Sequence, residues 1–346
     1  MNIGGRDFNS GAAVFIVAEL SANHNGSLET AILTVKAAKR AGADAIKLQT
    51  YTADTITIDS RKPDFMIKGT IWEGKNLYEL YQEAYTPWEW HPRLFEVAAD
   101  EGLLCFSSPF DKTAVDFLEG LNTPAYKIAS FEITDIPLIE YVASKGRPVI
   151  ISTGIATMED IELALDACRR MGNNEIALLK CTSSYPAPLE EANLIMIKDM
   201  ADRYGVVTGL SDHTLGSTAP VVATCLGAKI IEKHFIIDRS IGGPDASFSM
   251  DEAEFSQMVK AVREAEKAIG TVDYQPTEKQ IKGRDFSRSL YVVKDIKAGE
   301  LITEENVRSI RPGFGMHPKH YKDILGKAVR QDVNKGERLN VRILYL

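Results

Sequence analysis

Apolar and β-branched residues gather in eight short runs over roughly the first 275 positions. These are VFIVAEL (14–20), AIKLQT (45–50), LLCFSS (103–108), AYKIAS (125–130), PVIIST (148–153), IALLKC (176–181), VVTGLS (206–211) and KIIEKHF (229–235). Runs of this length between turn residues read as strands. Segments with helical spacing lie between them, such as SLETAILTVKAAKRAGA (27–43) and MEDIELALDACRRMG (158–172). Each opens near a Ser, Thr or acidic cap and closes near Gly. Eight parallel strands joined by right-handed crossovers over about 250 residues predict an α/β fold, a (β/α)8 TIM barrel. An open doubly wound sheet is the rival, but no G-x-G-x-x-G follows the first run.

The long gap at 51–87 carries Tyr51, Phe65, Trp72, Tyr78 and Tyr81, with Trp88 and Trp90 just beyond. It reads either as a lid or substrate loop, or as an extra helix on the barrel wall. The helical DEAEFSQMVKAVREAEKAIG (251–270) closes the barrel domain, placed at 1–275, and a polar linker follows at 276–288. The remainder, 289–346, repeats itself. VVKDIKAGELI (292–302) resembles AVRQDVNKGERL (328–339), so that Asp295, Gly299 and Glu300 return 37 positions later as Asp332, Gly336 and Glu337. Two strand–turn–strand units predict a small pseudo-symmetric β-rich domain. Its core is modest, so it is expected to dock on its own barrel or on a partner subunit's.

Composition narrows the function. Of 346 residues 45% are apolar and 25% charged, an ordinary globular balance, and no apolar run reaches the ~18 residues of a membrane span. MNIGGRDFNSG lacks a secretory pattern, and Cys105, Cys168, Cys181 and Cys225 form no C-x-x-C pair, so reduced thiols and a cytoplasmic location are expected. A net charge of −8 disfavours nucleic acid as a partner, and an anionic substrate would need a local basic pocket.

Barrel catalysis takes place at the C-terminal strand ends. Those ends hold Glu19; Lys47 with Gln49; Ser107 with Ser108; Lys127, Ser130 and Glu132; Ser152 and Thr153; Lys180, Thr182 and Ser183; Ser211, Asp212 and His213; and Glu232, Lys233 and His234. Charges in apolar strands are expensive unless paired or functional, so either ion pairs in the barrel core or a site accounts for them. His213 and His234 end the last two runs, on strands about 4.8 Å apart, where two imidazoles can share a divalent ion. A structural histidine is the alternative at each. His24 is a candidate for the substrate wall, and His91, His317 and His320 are assigned no metal role. Lys47 and Lys127, with Lys180 as a third candidate, converge with Ser130, Ser183 and Ser211 into a phosphate or carboxylate cradle. A Schiff base on Lys180 is the competing use of the same lysines.

The motifs AELSANHNGS (18–27), AIKLQTY (45–51), SSPFD (107–111), YKIASFE (126–132), CTSSYPAP (181–188), GLSDHT (209–214), EKHF (232–235) and GGPDASFSM (242–250) together resemble the sialic acid synthase family over essentially the whole chain. The part from Ser289, with RPGFGMHP (311–318), looks like the antifreeze-like (SAF) domain that closes these enzymes. ELSANH, IRPGFGMHP and SLYVVKDI look most like the pseudaminic acid branch, with the N-acetylneuraminate and legionaminic acid branches as competitors.

The resemblance implies a transferase that condenses phosphoenolpyruvate with an amino-sugar aldehyde, releasing phosphate and forming a nine-carbon 2-keto acid. For the pseudaminic branch the aldehyde is 2,4-diacetamido-2,4,6-trideoxy-L-altrose. It makes His213 and His234 ligands of a divalent ion, Mn2+ or Mg2+, and Glu19 the catalytic carboxylate beside them. Lys47, Ser108, Lys127, Ser130, Ser183 and Ser211 form the phosphoenolpyruvate side, with Ser183 standing where the sialic acid branch has Asn. Tyr185, Glu132 and Asp245 face the sugar, and Arg311 comes from the other subunit of a domain-swapped homodimer. An aromatic wall of Tyr51, Phe65, Trp72 and Phe248 suits a 6-deoxy diacetamido sugar. A Schiff-base aldolase and a non-catalytic carbohydrate-binding protein are the other readings.

Overall fold

The computed structural model describes residues 1–8, 11–70 and 72–345. The chain divides into two compact units, Met1–Gly270 and Thr271–Leu346.

The first unit opens with a two-stranded antiparallel hairpin, β1 (Asn2–Ile3) and β2 (Arg6–Asp7), which the hydrophobic pattern does not announce. Eight parallel strands follow: β3 (Phe15–Glu19), β4 (Ala45–Thr50), β5 (Leu104–Pro109), β6 (Tyr126–Ile128), β7 (Val149–Ser152), β8 (Ile176–Cys181), β9 (Val207–Asp212) and β10 (Ile230–His234). They close in sequence order, β10 pairing with β3, so the fold is the TIM barrel expected from the eight runs and not an open sheet.

Alternation along each strand separates two cores. Phe15, Val17, Ala45, Phe106, Ile150, Leu179 and Ile230 fill the barrel interior, where Ile3 and Phe8 of the hairpin segment join them. Ile16, Ile46, Leu210 and Ile231 point outward to the helical layer. The helices are stopped and started by local chemistry. Met158–Arg170 has a Thr157/Asp160 capping box and ends on Arg169 and Arg170, and Glu252–Ile269 has an Asp251/Glu254 box. Gly209 in β9 is there for closeness: a Cβ would stand 2.3 Å from the Ile230 carbonyl oxygen, so the strands that lead to His213 and His234 can approach only with glycine at this point.

The excursion between β4 and β5 contains three helices, Ala53–Ile56, Leu77–Ala84 and His91–Asp100. Trp72 within it donates its indole N–H to the Pro244 carbonyl at 3.1 Å, which ties the excursion to the loop after β10.

The second unit contains β11 (Ser289–Val292) paired antiparallel with β12 (Val307–Ile310) around a core of Leu290, Val292, Ile296, Val307, Val329, Val333 and Leu339. The 37-residue repeat has a physical counterpart. The Lys335 N–H donates to Asp295 and the Ala298 N–H to Asp332; Ile296 and Val333 exchange both backbone bonds; Gly336 N donates to Val292 O as Gly299 N does to Val329 O. Each half caps the turns of the other.

Candidate functional site

Strand parity decides which polar strand ends face the barrel axis. Glu19 continues the inward series Phe15–Val17, Lys47 follows Ala45, Lys127 follows Ala125, and Glu232 follows Ile230. All four are buried. They form one cluster: Lys47 Nζ lies 2.6 Å from Glu19 and 3.8 Å from Glu232, and Lys127 Nζ lies 3.9 Å from Glu232. Hydroxyls complete it. Lys127 donates to Ser152 Oγ at 2.6 Å, Lys47 to Ser108 Oγ at 3.4 Å, and Ser211 donates to Glu232 at 3.1 Å.

Burial penalises every charge here, and neighbours decide who keeps one. It pushes the Glu19 carboxyl up to about 7 against the pull of Lys47. Glu232 is equally buried, but the ammonium groups of Lys127 and Lys47 outweigh burial and hold it below the usual carboxylate range. Burial lowers Lys127, while Glu19 and Glu232 outweigh it at Lys47 and raise that group. Two carboxylates in one pocket are thus driven apart, one ionised and one poised for proton transfer.

The two histidines converge as the sequence suggests, their ring centroids 5.3 Å apart. His213 Nδ1 donates to the Thr182 carbonyl at 2.9 Å; burial lowers this imidazole, but Cys181 and that carbonyl outweigh it and hold the ring above the usual histidine range, so Nε2 is the nitrogen that opens to a ligand once its proton leaves. His234 Nδ1 is buried without a hydrogen-bond partner among the described residues, and burial followed by the neighbouring His213 and Lys47 keeps its imidazole neutral. Asp245 Oδ2 stands 3.7 Å from that nitrogen and accepts from Ser21 Oγ at 2.5 Å. A neutral His234 and a His213 fixed by a backbone carbonyl on Nδ1 bring two imidazoles to one point, a donor pair that a divalent ion can take, with release of the His213 proton. The residues fit the group.

Around the rim, Ser130, Ser183 and Cys181 surround Gly154, whose added Cβ would fall 2.1 Å from Ser183 Oγ and 2.7 Å from Ser130 Oγ. Ser130 Oγ accepts the Gly154 N–H, whereas Ser183 Oγ and Glu132 Oε2 have no hydrogen-bond partner among the described residues. Burial lifts Glu132 to about 7 against the nearby Lys127. Tyr185 packs on His213 with centroids 4.4 Å apart, on Phe248 at 5.1 Å and on Trp72 at 5.8 Å. Next to Trp72 a cavity of 390 Å³ opens, lined also by Lys75, Glu83 and Gly243.

Several expectations need correction. Lys180 does not join the cradle. Ala177 and Leu179 face inward, so Lys180 faces outward, with Nζ on the Cys181 carbonyl at 2.5 Å and Thr182 Oγ1 at 3.4 Å. That removes the basis for a Schiff base, and Lys180→Met should retain turnover of wild-type order with no borohydride-trapped adduct in either protein. Ser107, Asp212 and Lys233 also face outward. Ser107 shares a hydrogen bond with Thr50, and Lys233 is paired with Asp212. His24 is buried against Trp90 and accepts from Gly26 N, so it serves its own turn and not a substrate wall. Tyr51 packs on Tyr81 and Phe110; among the described residues Phe65 makes no ring contact, so of the expected aromatic wall only Trp72 and Phe248 gather on Tyr185. Arg311 belongs to the second unit, where it is exposed and makes no ion pair among the described residues.

Sequence reasoning names Gln49, Ser152 and Glu232 among the polar strand ends but gives them no role, and it leaves Ser21 and Cys181 out of the site. Gln49 Nε2 donates to Glu19 and to Ser21 Oγ, both at 3.0 Å, and Cys181 Sγ lies 3.8 Å from His213 Nδ1. The usable signal was a step of two: Gln49 follows Lys47 by two positions and Glu232 precedes His234 by two.

Comparison with known proteins shows the family of the chain. Residues 34–274 match the model of the NeuB family and residues 287–339 that of the SAF domain. The chain is 51% identical over 339 residues to a pseudaminic acid synthase of Campylobacter jejuni, covering 98% of both chains. It is 50% identical to a pseudaminic acid synthase of Helicobacter pylori, covering 90% of this chain and 92% of that one. Among solved structures, an N-acetylneuraminic acid (sialic acid) synthetase of Leptospira borgpetersenii in complex with citrate superposes with a TM-score of 0.73 at 30% identity, covering 82% of this chain and 94% of that one.

Proposed function

Because the chain belongs to the NeuB family, we propose that it condenses phosphoenolpyruvate with 2,4-diacetamido-2,4,6-trideoxy-L-altrose, giving pseudaminic acid and phosphate. The observation that carries the reading is the meeting, inside one barrel mouth, of a convergent histidine pair with two buried lysines and two differently tuned carboxylates. The identity of about half the residues to two curated pseudaminic acid synthases supports that sugar over its relatives.

Lys47 and Lys127, with Ser108, Ser130, Ser183 and Ser211, bind the phosphate and carboxylate of phosphoenolpyruvate and compensate the charge that develops on the leaving phosphate. His213 and His234 hold a divalent ion, Mn2+ or Mg2+, which when bound supplies Lewis-acid polarisation of the aldehyde carbonyl. Carbon 3 of phosphoenolpyruvate then forms the new bond to the aldehyde carbon, whose π pair moves to the aldehyde oxygen and makes it a hydroxyl with the proton that the added water gives up, leaving positive character at carbon 2. Water adds at carbon 2, with Glu19 orienting it and taking its proton. The tetrahedral product expels phosphate by carbon–oxygen cleavage, yielding the 2-keto acid. Tyr185, Glu132 and Asp245 face the sugar, with Trp72 and Phe248 behind Tyr185 offering an apolar surface to its methyl and acetyl groups.

The enzyme works in the cytoplasm as a domain-swapped homodimer, in which the SAF unit of one subunit brings Arg311 to the sugar bound by the other and limits stray water. An exposed guanidinium without an ion partner among the described residues supports that role for Arg311.

The test is a product mass from a panel of aldehydes with phosphoenolpyruvate: the diacetamido trideoxy altrose, the legionaminic acid precursor and N-acetylmannosamine. The altrose derivative should give the largest kcat/KM, with phosphate released in equal amount. Preference for either other sugar would move the enzyme to that branch, and no condensation with any of them would remove the reaction.

A further inference from the structure

The residues immediately before the two histidines are themselves partners. Asp212 and Lys233 sit opposite one another in the β9–β10 register, and both side chains are 1% exposed. They point away from the barrel axis, into the layer that holds Leu210 and Ile231 beneath the helices. Lys233 Nζ donates to Asp212 Oδ2 at 2.5 Å and to the Thr214 carbonyl at 2.5 Å, while Asp212 Oδ1 accepts the Thr214 N–H at 2.9 Å. The main chain on both sides of His213 is therefore clamped to the residue that precedes His234.

Stability does not explain this arrangement. An ion pair withdrawn into an apolar layer loses about as much hydration as it gains in attraction, and a well-packed apolar pair there is often neutral or more stable. What the pair does supply is geometry. It crosses the gap between two neighbouring strands at the level of the two imidazoles, and its other two bonds, both to the Thr214 backbone, close the turn that follows His213.

We propose that the Asp212–Lys233 pair is a positioning device that sets the separation and aim of His213 and His234, and through them the affinity for the divalent ion. The inference rests on the metal role assigned to those histidines above. His213 and His234 keep other backbone ties, the His213 carbonyl accepting from Ala187 N and the His234 carbonyl from Met250 N, both at 2.9 Å. Loss of the pair therefore loosens the site without opening the barrel.

The experiment is an electron paramagnetic resonance titration of metal-free, full-length protein with Mn2+ alone, together with the thermal midpoint and metal-free binding of phosphoenolpyruvate. The paired variant Asp212→Leu/Lys233→Met should keep its thermal midpoint and its phosphoenolpyruvate affinity while binding Mn2+ about 10- to 100-fold more weakly, the usual scale for losing an outer partner of a metal ligand. If that variant does not fold, Asp212→Asn decides the matter. It leaves an acceptor for the Thr214 N–H and a neutral partner for Lys233, and it should weaken Mn2+ several-fold. Unchanged Mn2+ affinity in whichever variant folds overturns the proposal and leaves the metal site standing. A wild-type protein that takes up no Mn2+ overturns the metal site, and this inference with it.

Discussion

Glu19→Gln is expected to fold, to bind phosphoenolpyruvate and to turn over at least about 10²-fold more slowly, the loss that follows removal of a placed acid–base group. The substitution keeps the shape of the side chain and an oxygen for Gln49, so the packing between β3 and β4 survives. What goes is the proton acceptor that burial has raised to about 7. Lys47 retains Glu232 at 3.8 Å and is not left alone in the barrel. Steady-state phosphate release, with calorimetric binding of phosphoenolpyruvate as control, separates a lost chemical step from a lost site. Near-normal turnover would take Glu19 out of the mechanism.

Removal of divalent ions is expected to cost more. If the aldehyde is activated by Lewis acid held on His213 and His234, chelation followed by desalting should cut phosphate release by about 10³-fold or more, since such polarisation is worth several kcal/mol. Mn2+ or Mg2+ should restore it, and the thermal midpoint should stay within a few degrees throughout, because the barrel core does not depend on the two rings. Activity that survives complete chelation would leave the convergent histidines without a catalytic role.

The barrel was readable because each strand is short and apolar and most are followed by a helix with a side-chain cap, such as Ser27, Asp111, Asp135, Thr157 and Asp251, and the site was readable because charges interrupt those apolar runs. Parity is where reading failed. In IALLKC the four residues before Lys180 are apolar on both faces, so nothing in the run says whether Lys180 or Cys181 points inward; the closed register of β7, β8 and β9 decides it. The same ambiguity hid the outward pairing of Asp212 with Lys233, two charges that look like site residues until the strands are laid side by side. The hairpin of β1 and β2 escaped because strands of two residues carry no period, yet its Ile3 seals the barrel floor. His24 and Tyr51 were misplaced for another reason: the excursion between β4 and β5 folds into helices that cover them, and their chain spacing gives no sign of that cover.

The reciprocal bonding of the two halves of the second unit also sets how that unit can be cut. Asp295 serves the backbone at Lys335 and Asp332 the backbone at Ala298, so neither half holds the groups that finish its own bends. A fragment ending between them would keep its sequence motif and lose its architecture. The small domain is inherited whole, and a proteolytic nick that released either half would dissolve both.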